Sequence, residues 1–177
     1  MTRAAIADAD PVVMIESRAL YLDKAFVDVD APVEPVGGAR LRREGRDLVV
    51  ITWGRMTKVA IEAAEQLASE GIDVAVLDLR WLAPLDGPAI EAALVAAGGR
   101  AIVLHEANLT GGFGAEVVAR IAERRYAAPS GPVLRIGLPD IRVPSSTVLQ
   151  ESVMPSAAQV VEQARRIVAS GKGSSTG

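Results

Sequence analysis

Apolar residues of this chain are grouped in short runs, and between the runs they recur at three- and four-residue intervals. The runs are apolar throughout and rich in β-branched residues, which is typical of buried strands: residues 48–53, 73–78, 100–105 and 132–136. The intervening spacing predicts helices at residues 56–70, 86–97, 112–125 and 156–168. Because strands and helices alternate, we predict an α/β fold, a three-layer α/β/α sandwich with a mainly parallel sheet.

Each predicted helix has one apolar face, which we expect to be buried. The expected buried positions are Val59, Ala60, Ala63, Ala64, Leu67 and Ala68; Ile90, Ala93, Leu94 and Ala97; Val118, Ile121 and Ala122; and Ala157, Val160, Val161, Ala164, Ile167 and Val168. Asp86 and Ser156 are predicted N-caps, and Gly71 is predicted as a left-handed C-cap.

The N-terminal part of the chain has a weaker pattern. Residues 10–16 form an apolar run bounded by proline and a carboxylate, which predicts a buried strand, whereas residues 17–30 show no regular period. Two prolines and two glycines in residues 31–38 indicate a linker, which we extend to residues 31–46. We assign the principal domain to residues 47–170 and expect the Gly/Ser-rich tail, residues 171–177, to be disordered.

Composition excludes several classes of protein. The 177 residues carry 19 basic and 22 acidic side chains, a net charge of −3, which argues against a general nucleic-acid binder. There is no cysteine and only one histidine, His105, which excludes disulfides, thiol catalysis and a multi-histidine metal site. No apolar run has the roughly 18–20 residues that span a bilayer, so we expect a soluble, cytoplasmic protein without membrane association.

Candidate chemistry lies at the carboxyl ends of the predicted strands, where α/β folds bind ligands. Gly54 and Arg55 follow the first of these strands, either as an anion site at a helix N-terminus or as a tight turn with an exposed arginine. At the last strand, Asp140 is interpreted as a turn residue that bonds its own backbone.

The third predicted strand ends in the most distinctive segment, where His105 and Glu106 precede a glycine cluster. The glycines Gly111, Gly112 and Gly114 could cradle an anion through backbone amides, but they fit neither a dinucleotide-binding fingerprint nor a P-loop. His105 and Glu106 could form an acid/base pair, although adjacent strand residues point to opposite faces, which favours a structural or interface role for His105.

Residues 105–116 (HEANLTGGFGAE) resemble the glycine-rich loop in the C-terminal domain of the beta subunit of thiamine-diphosphate-dependent 2-oxo acid dehydrogenases, a transketolase C-terminal-type domain. Other segments agree in order and spacing: residues 45–54 (GRDLVVITWG), 60–67, 76–86 (VLDLRWLAPLD), 136–140 (IGLPD) and 154–156 (MPS). The resemblance covers about residues 10–168. The phrase HEA followed by TGGF is closer to the branched-chain (2-oxoisovalerate) members than to the pyruvate members.

The resemblance implies oxidative decarboxylation of a 2-oxo acid, with acyl transfer to a lipoyl group, in the intact complex. Residues 1–30 resemble the last helix and strand of the family's pyrimidine-binding domain, and we expect the rest of that domain to be absent. The diphosphate and magnesium site belongs to the partner alpha subunit, so no catalytic, cofactor-binding or metal-binding residue transfers to this chain. It is therefore expected to be inactive alone and to bind neither thiamine diphosphate nor Mg²⁺ by itself.

The partners that the resemblance implies are the alpha subunit, a second beta subunit and the subunit-binding domain of the acyltransferase core. Arg55, Arg100, His105, Glu106, Gly111, Gly112 and Gly114 are the candidate loop and interface residues. We also expect the chain itself to form an oligomer, because an unpaired strand at residues 10–16 would need a partner. Two alternatives remain open: a free-standing α/β binding module whose glycine loop holds an anion or a protein, and a fragment of a transketolase or a deoxyxylulose-phosphate synthase.

Overall fold

The computed structural model describes residues 1–124 and 131–172. Five strands form one sheet: β1 (Arg40–Arg43), β2 (Leu48–Thr52), β3 (Val74–Asp78), β4 (Ala101–Asn108) and β5 (Val133–Leu138). The α-helices are α1 (Thr2–Ala7), α2 (Met56–Ala68), α3 (Gly87–Ala96), α4 (Gly114–Arg124), α5 (Thr147–Val153) and α6 (Ala157–Lys172), with a 3₁₀ turn at Arg18–Leu20. The predicted α/β fold is confirmed.

The strand order across the sheet is β1-β3-β2-β4-β5. Strands β2 to β5 are mutually parallel, as predicted, and β1 pairs antiparallel with β3. β1 lies in the segment predicted as a linker, so that interpretation is wrong for Arg40–Arg43. The charged sequence of β1 lacks the apolar pattern of a strand, although it forms an edge strand of the sheet. A long-range contact holds it there: Arg42 donates from Nε and Nη2 to the Asp78 carboxylate at 3.0 and 2.7 Å.

Two apolar cores, one on each face of the sheet, explain why β2 is apolar throughout. Leu48 and Val50 pack with helices α2 and α6 on one face. Val49 and Ile51 pack with helices α3 and α4 on the other. Because successive strand residues point to opposite faces, a strand covered on both sides must be apolar at every position.

Most helix faces lie where the pattern predicts them. All expected positions of α3 and α6 are buried, together with Ala60, Ala63, Ala64 and Leu67 of α2. The stripe predicted for α4 is partly wrong, because Val117 is fully buried whereas Ala122 is exposed. Ala68 is also exposed, although its neighbour Leu67 is fully buried.

The predicted helix ends are largely confirmed. Asp86 accepts the Ala89 N–H at 3.0 Å as the N-cap of α3. Ser156 and Gln159 bond reciprocally across the first turn of α6, as in a capping box. Gly71 has φ +77°, the left-handed conformation expected of a C-cap. Helix α5 was not predicted, and none of its residues is buried.

The strand predicted at residues 10–16 is not formed. Those residues belong to no strand, and Val13 and Ile15 are 87% and 89% exposed. A strand needs a neighbouring strand for its backbone hydrogen bonds, and no described strand pairs with this segment. Helix α6 extends through Lys172, so the predicted disorder of the tail is wrong for residues 171 and 172. Residues 173–177 lie outside the described part. Within residues 1–124 and 131–172, no helix combines the length and apolar character needed to cross a bilayer.

Candidate functional site

The chain changes direction across the sheet between β2 and β4. From β2 it winds to β3 on one side, and from β4 it winds to β5 on the other, which makes the gap between the carboxyl ends of β2 and β4 a topological switch point. Ligands of open α/β sheets bind at such points. Trp53, Gly54 and Arg55 follow β2 there, facing His105 and Glu106 at the equivalent level of β4.

Three rings pack together at this point. The Trp53 and His105 rings stack with their centroids 5.5 Å apart and their planes 15° apart. Phe113 meets Trp53 edge-on, with the centroids 6.0 Å apart. No sequence motif indicates this cluster, although the pairing of Thr52 with Leu104 places the next residue of each strand side by side.

The glycines around the loop make room for the His105 ring. A Cβ added at Gly114 would lie 2.5 Å from His105 Cδ2, one at Gly112 would lie 2.8 Å from Cε1, and one at Gly137 would lie 3.0 Å from Nε2. Separations of this kind leave no space for a side chain. Close packing on the imidazole therefore explains Gly112 and Gly114 without a phosphate, whereas Gly111 adopts a left-handed φ of +72°.

His105 is fully buried and is poised to remain neutral. The Ala107 N–H donates to His105 Nδ1 at 3.3 Å, which leaves the proton of the neutral ring on Nε2. Nε2 has no hydrogen-bond partner in the described part of the chain. Burial, and then the nearby Arg135 charge, lower the pKa of His105 below its ordinary 6.5. These features do not suit a general base that exchanges protons with a substrate.

Glu106 turns away from His105 and faces Arg55 instead. Their closest charged atoms, Arg55 Nη1 and Glu106 Oε1, are 3.8 Å apart, and both side chains are about one-third exposed (35% and 28%). Burial raises the pKa of Glu106, and the Arg55 charge opposes that rise. No described hydrogen bond joins His105 to Glu106, and the accessible charges at the switch point belong to Arg55 and Glu106.

The glycine loop holds a carboxylate from its own chain. Asp140 accepts the Thr110 N–H at 3.1 Å and the Thr110 hydroxyl at 2.5 Å, and both contacts lower the pKa of Asp140. The interpretation of Asp140 as a residue that bonds its own backbone is therefore wrong: the bond joins two loops 30 residues apart. Because Asp140 already takes one of the backbone amides that an anion would need, the anion-cradle hypothesis loses support.

A shallow, open groove of about 490 Å³ lies beside this contact. It is lined by Ala107, Asn108, Thr110, Gly111, Gly112, Asp140, Ile141 and Arg142. The Asn108 amide donates to Pro139 O at 2.9 Å and Ile141 O at 3.2 Å, which fixes the far wall. The groove thus has rigid polar walls and one basic side chain, Arg142.

The seven candidate residues do not form one cluster. Arg100 precedes β4 and donates through Nε to Asp47 O at 2.5 Å, so it lies at the amino end of the sheet. His105, five positions along the strand, is therefore about 15 Å away from it along the backbone. His105 and Gly114 are buried, while Gly111 is exposed and Arg55, Glu106 and Gly112 are partly exposed. Arg100 is also partly exposed, but at the opposite end of the sheet, so Arg55, Glu106, Gly111 and Gly112 are the candidates that can contact a partner at the carboxyl end without rearrangement.

The residues present do not fit a site for thiamine diphosphate with Mg²⁺. Among the described side chains, no three His, Asp or Glu residues are grouped so that they could hold a metal ion. The groove at the glycine loop carries the Asp140 carboxylate, which would repel a diphosphate.

Comparison with known proteins decides the family. The sequence profile described as "Transketolase, C-terminal domain" matches residues 37–160. This chain belongs to the transketolase C-terminal domain family. The match begins ahead of the domain boundary predicted at residue 47 and includes β1.

Relatives of this transketolase C-terminal domain include subunits of 2-oxo acid dehydrogenases. The chain is 40% identical over 167 residues to the pyruvate dehydrogenase E1 component subunit beta of Bacillus subtilis (strain 168), covering 93% of this chain and 50% of the relative. It is 38% identical over 136 residues to the 3-methyl-2-oxobutanoate dehydrogenase subunit beta of Mycobacterium tuberculosis, covering 76% and 39%. The chain therefore spans half or less of the length of these relatives.

A solved structure agrees with this assignment. A split-gene transketolase, described as an inactive beta4 tetramer, superposes with a TM-score of 0.68 at 28% identity, covering 82% of this chain and 46% of that one. The resemblance inferred from the sequence motifs is confirmed at the level of the family and of the dehydrogenase beta subunits.

Proposed function

We propose that this chain is the C-terminal assembly domain of a beta subunit of a thiamine-diphosphate-dependent 2-oxo acid dehydrogenase. The observation that carries the proposal is the match to dehydrogenase beta subunits over 93% of this chain but only 50% of the first relative. In this role the cofactor supplies the decarboxylation chemistry when it is bound elsewhere in the assembled enzyme. The present domain supplies a rigid surface, and it is inactive alone.

The proposed partners are the alpha subunit, a second beta subunit and the subunit-binding domain of an acyltransferase core. The accessible pair Arg55 and Glu106, together with Gly111 and Gly112, offers a polar surface for such contacts at the carboxyl edge of the sheet. A charged group of a partner could replace Arg55 or Glu106 in this partly exposed ion pair at a small cost in free energy, because exposed pairs contribute about 0–1 kcal/mol. A cytoplasmic location and a 2-oxo acid substrate of the assembled enzyme are parts of the same proposal.

A chimera tests the proposal directly. The matching half of the Bacillus subtilis pyruvate dehydrogenase beta subunit is replaced by this chain, and the product is co-expressed with its alpha subunit. We expect an assembled enzyme that decarboxylates pyruvate when thiamine diphosphate and Mg²⁺ are added, and no turnover of pyruvate or 3-methyl-2-oxobutanoate by the chain alone. A folded chimera that fails to bind the alpha subunit would contradict the assembly role. Turnover by the isolated chain would contradict the proposal that the domain is inactive alone.

A chimera carrying Arg55→Ala and Glu106→Ala probes the proposed contact surface. Binding of the alpha subunit or of the acyltransferase should weaken in this variant. A control change on the exposed side of α2, Glu62→Ala, should leave binding unchanged. Equal binding by both variants would show that Arg55 and Glu106 do not contribute to the interface.

A further inference from the structure

The segment that joins the N-terminal residues to the domain lies against the loop between β3 and α3. Residues 31–38, the connecting segment, have the sequence APVEPVGG and belong to no helix or strand. The Ala39 N–H that follows donates to the Asp86 carboxylate at 2.9 Å, and a Cβ added at Gly37 would lie 2.9 Å from Pro84 Cγ. The connecting segment therefore ends on a surface formed by the β3–α3 loop.

Arg80, in the same loop, has a backbone conformation that residues with a side chain rarely adopt. Its φ is +59°, and within the described part of the chain it is the one residue other than glycine with a positive φ. This conformation raises the free energy of a residue with a Cβ, so it persists only where surrounding contacts impose it. The buried Asp78 supplies such a contact, because one of its carboxylate oxygens accepts the Arg80 N–H at 3.2 Å while the other accepts Arg42. The backbone of Arg80 is thus fixed from the end of β3.

The side chain of Arg80 reaches the connecting segment. Its guanidinium forms an ion pair with the Glu34 carboxylate, and only 10% of the Arg80 side chain is exposed, against 47% for Glu34. A second ion pair between the N-terminal residues and the domain, Asp23 with Lys58, is 43% and 63% exposed. Opening the first pair would leave a nearly buried guanidinium without its carboxylate, which costs more than separating two exposed charges. The Arg80–Glu34 pair is therefore the stronger of the two links.

A stiff part of the connecting segment is followed by a flexible one. Pro32 and Pro35 fix two of its φ angles, and Pro35 also restricts Glu34 to extended backbone. Gly37 and Gly38 follow, and a Cβ added at Gly38 would meet only Pro35 O, at 3.8 Å. Two adjacent glycines, the second with little around it, allow the backbone to rotate. The connecting segment is thus stiff before the glycines and can turn at them.

We propose that Gly37 and Gly38 form a hinge and that the Arg80–Glu34 ion pair is the latch that holds this hinge closed. With the latch closed, the chain before the hinge leaves the domain in one fixed direction. With the latch open, residues 1–36 turn about the two glycines while the domain stays folded. The latch therefore sets the orientation of the preceding part of the chain relative to the sheet. This inference does not depend on the proposed function.

Spin labels measure the state of the hinge directly, because the chain contains no cysteine that would have to be removed. Ile6→Cys and Glu65→Cys, both at exposed positions, place one label on α1 and one on α2. The Arg3 side chain bonds the carbonyls of Val29 and Ala31, so α1 reports on the start of the connecting segment. We expect double electron–electron resonance of this labelled chain to give a distance distribution with one narrow maximum.

Breaking the latch should widen this distance distribution. Arg80→Ala and Glu34→Ala should each widen it by about twofold or more, since an open hinge samples several directions. The double change should widen it no further, because both side chains act through one contact. Lys58→Ala is the matched control: it breaks the other ion pair between the same two parts and should leave the width unchanged. Equal widening by Lys58→Ala and Arg80→Ala, or no widening by either latch variant, would overturn the proposal.

Glycine in place of Arg80 separates the latch from the strain of its backbone. Arg80→Gly should widen the distribution as much as Arg80→Ala does, because both changes remove the guanidinium. It should also unfold at a higher urea concentration than Arg80→Ala, because glycine adopts a positive φ without steric cost whereas alanine does not. Arg80→Gly therefore still tests the latch if Arg80→Ala fails to fold. A narrow distribution in Arg80→Gly would show that the guanidinium does not hold the connecting segment.

The position of the hinge is tested in the unlatched chain. Gly38→Ala added to Arg80→Gly should narrow the distribution again, because alanine restricts the backbone and its Cβ has space at this position. Val33→Ala, in the same segment but outside the glycine pair, is the control and should not narrow it. An unchanged width with Gly38→Ala would place the turning point outside the two glycines and contradict the hinge.

Discussion

Gly112, Gly114 and Gly137 approach the His105 ring so closely that a methyl group cannot be added without displacing it. We expect Gly114→Ala to destabilise the fold by about 1–3 kcal/mol, the usual cost of overpacking a core. Urea unfolding measures this cost. Gly38→Ala is the matched control, because its added Cβ would meet only Pro35 O at 3.8 Å.

A second change separates this packing cost from a general loss of helix stability. If the clash with the imidazole is the cause, His105→Ala combined with Gly114→Ala should cost less than the two single changes added together. If the two single changes and the double change are strictly additive, the destabilisation by Gly114→Ala does not come from the clash with His105 and arises elsewhere in α4.

His105 also predicts a pH dependence. Its folded pKa lies below the ordinary 6.5 because the ring is buried and Arg135 is near. The unfolded chain therefore binds a proton first as the pH falls, so the contribution of His105 is complete above pH 6.5 and is lost as the pH drops toward its folded pKa. Since this is the single histidine, its NMR signal needs no assignment, and it should titrate below 6.5. A midpoint at or above 6.5 would contradict the burial argument.

At the scale of single elements, the carboxylate of Asp86 serves two segments. It caps α3 through the Ala89 N–H at 3.0 Å and accepts the Ala39 N–H at 2.9 Å, which anchors the segment before β1. Asp86→Ala should cost about 1 kcal/mol for the cap and about 1 kcal/mol for the second bond. Asp86→Asn keeps one acceptor oxygen and should lose roughly half as much in urea unfolding. Equal losses would mean that the charge, rather than the hydrogen bonds, is what stabilises α3.

Elements whose signal is local were predictable from the sequence, and elements held by distant contacts were not. The apolar run of β2 and the apolar stripe of α6 are both buried. The spacing of apolar residues alone therefore predicts that β2 is a strand, that α6 is a helix, and which of their faces are buried. β1 is charged at three of its four positions, and its pairing depends on Asp78, 36 residues away from Arg42. Similarly, no local pattern reveals that Thr110 binds Asp140 or that three glycines enclose one imidazole.

At the scale of the whole molecule, the domain and the N-terminal residues 8–34 differ in how they are held. The domain has two cores that share one sheet, whereas residues 8–34 are attached to it through two ion pairs, Asp23 with Lys58 and Glu34 with Arg80. Residues whose neighbours are mainly solvent contribute little to the free energy of unfolding. The stability of the domain should therefore be nearly independent of these N-terminal residues.

Deletion of residues 1–30 tests this expectation, since it keeps Glu34 and its contact with Arg80. The free energy of unfolding in urea should change by less than about 1 kcal/mol, the size of an exposed ion pair. The unfolding m-value should fall slightly, because less surface is exposed on unfolding. A deletion that prevents folding would show that these residues belong to the core.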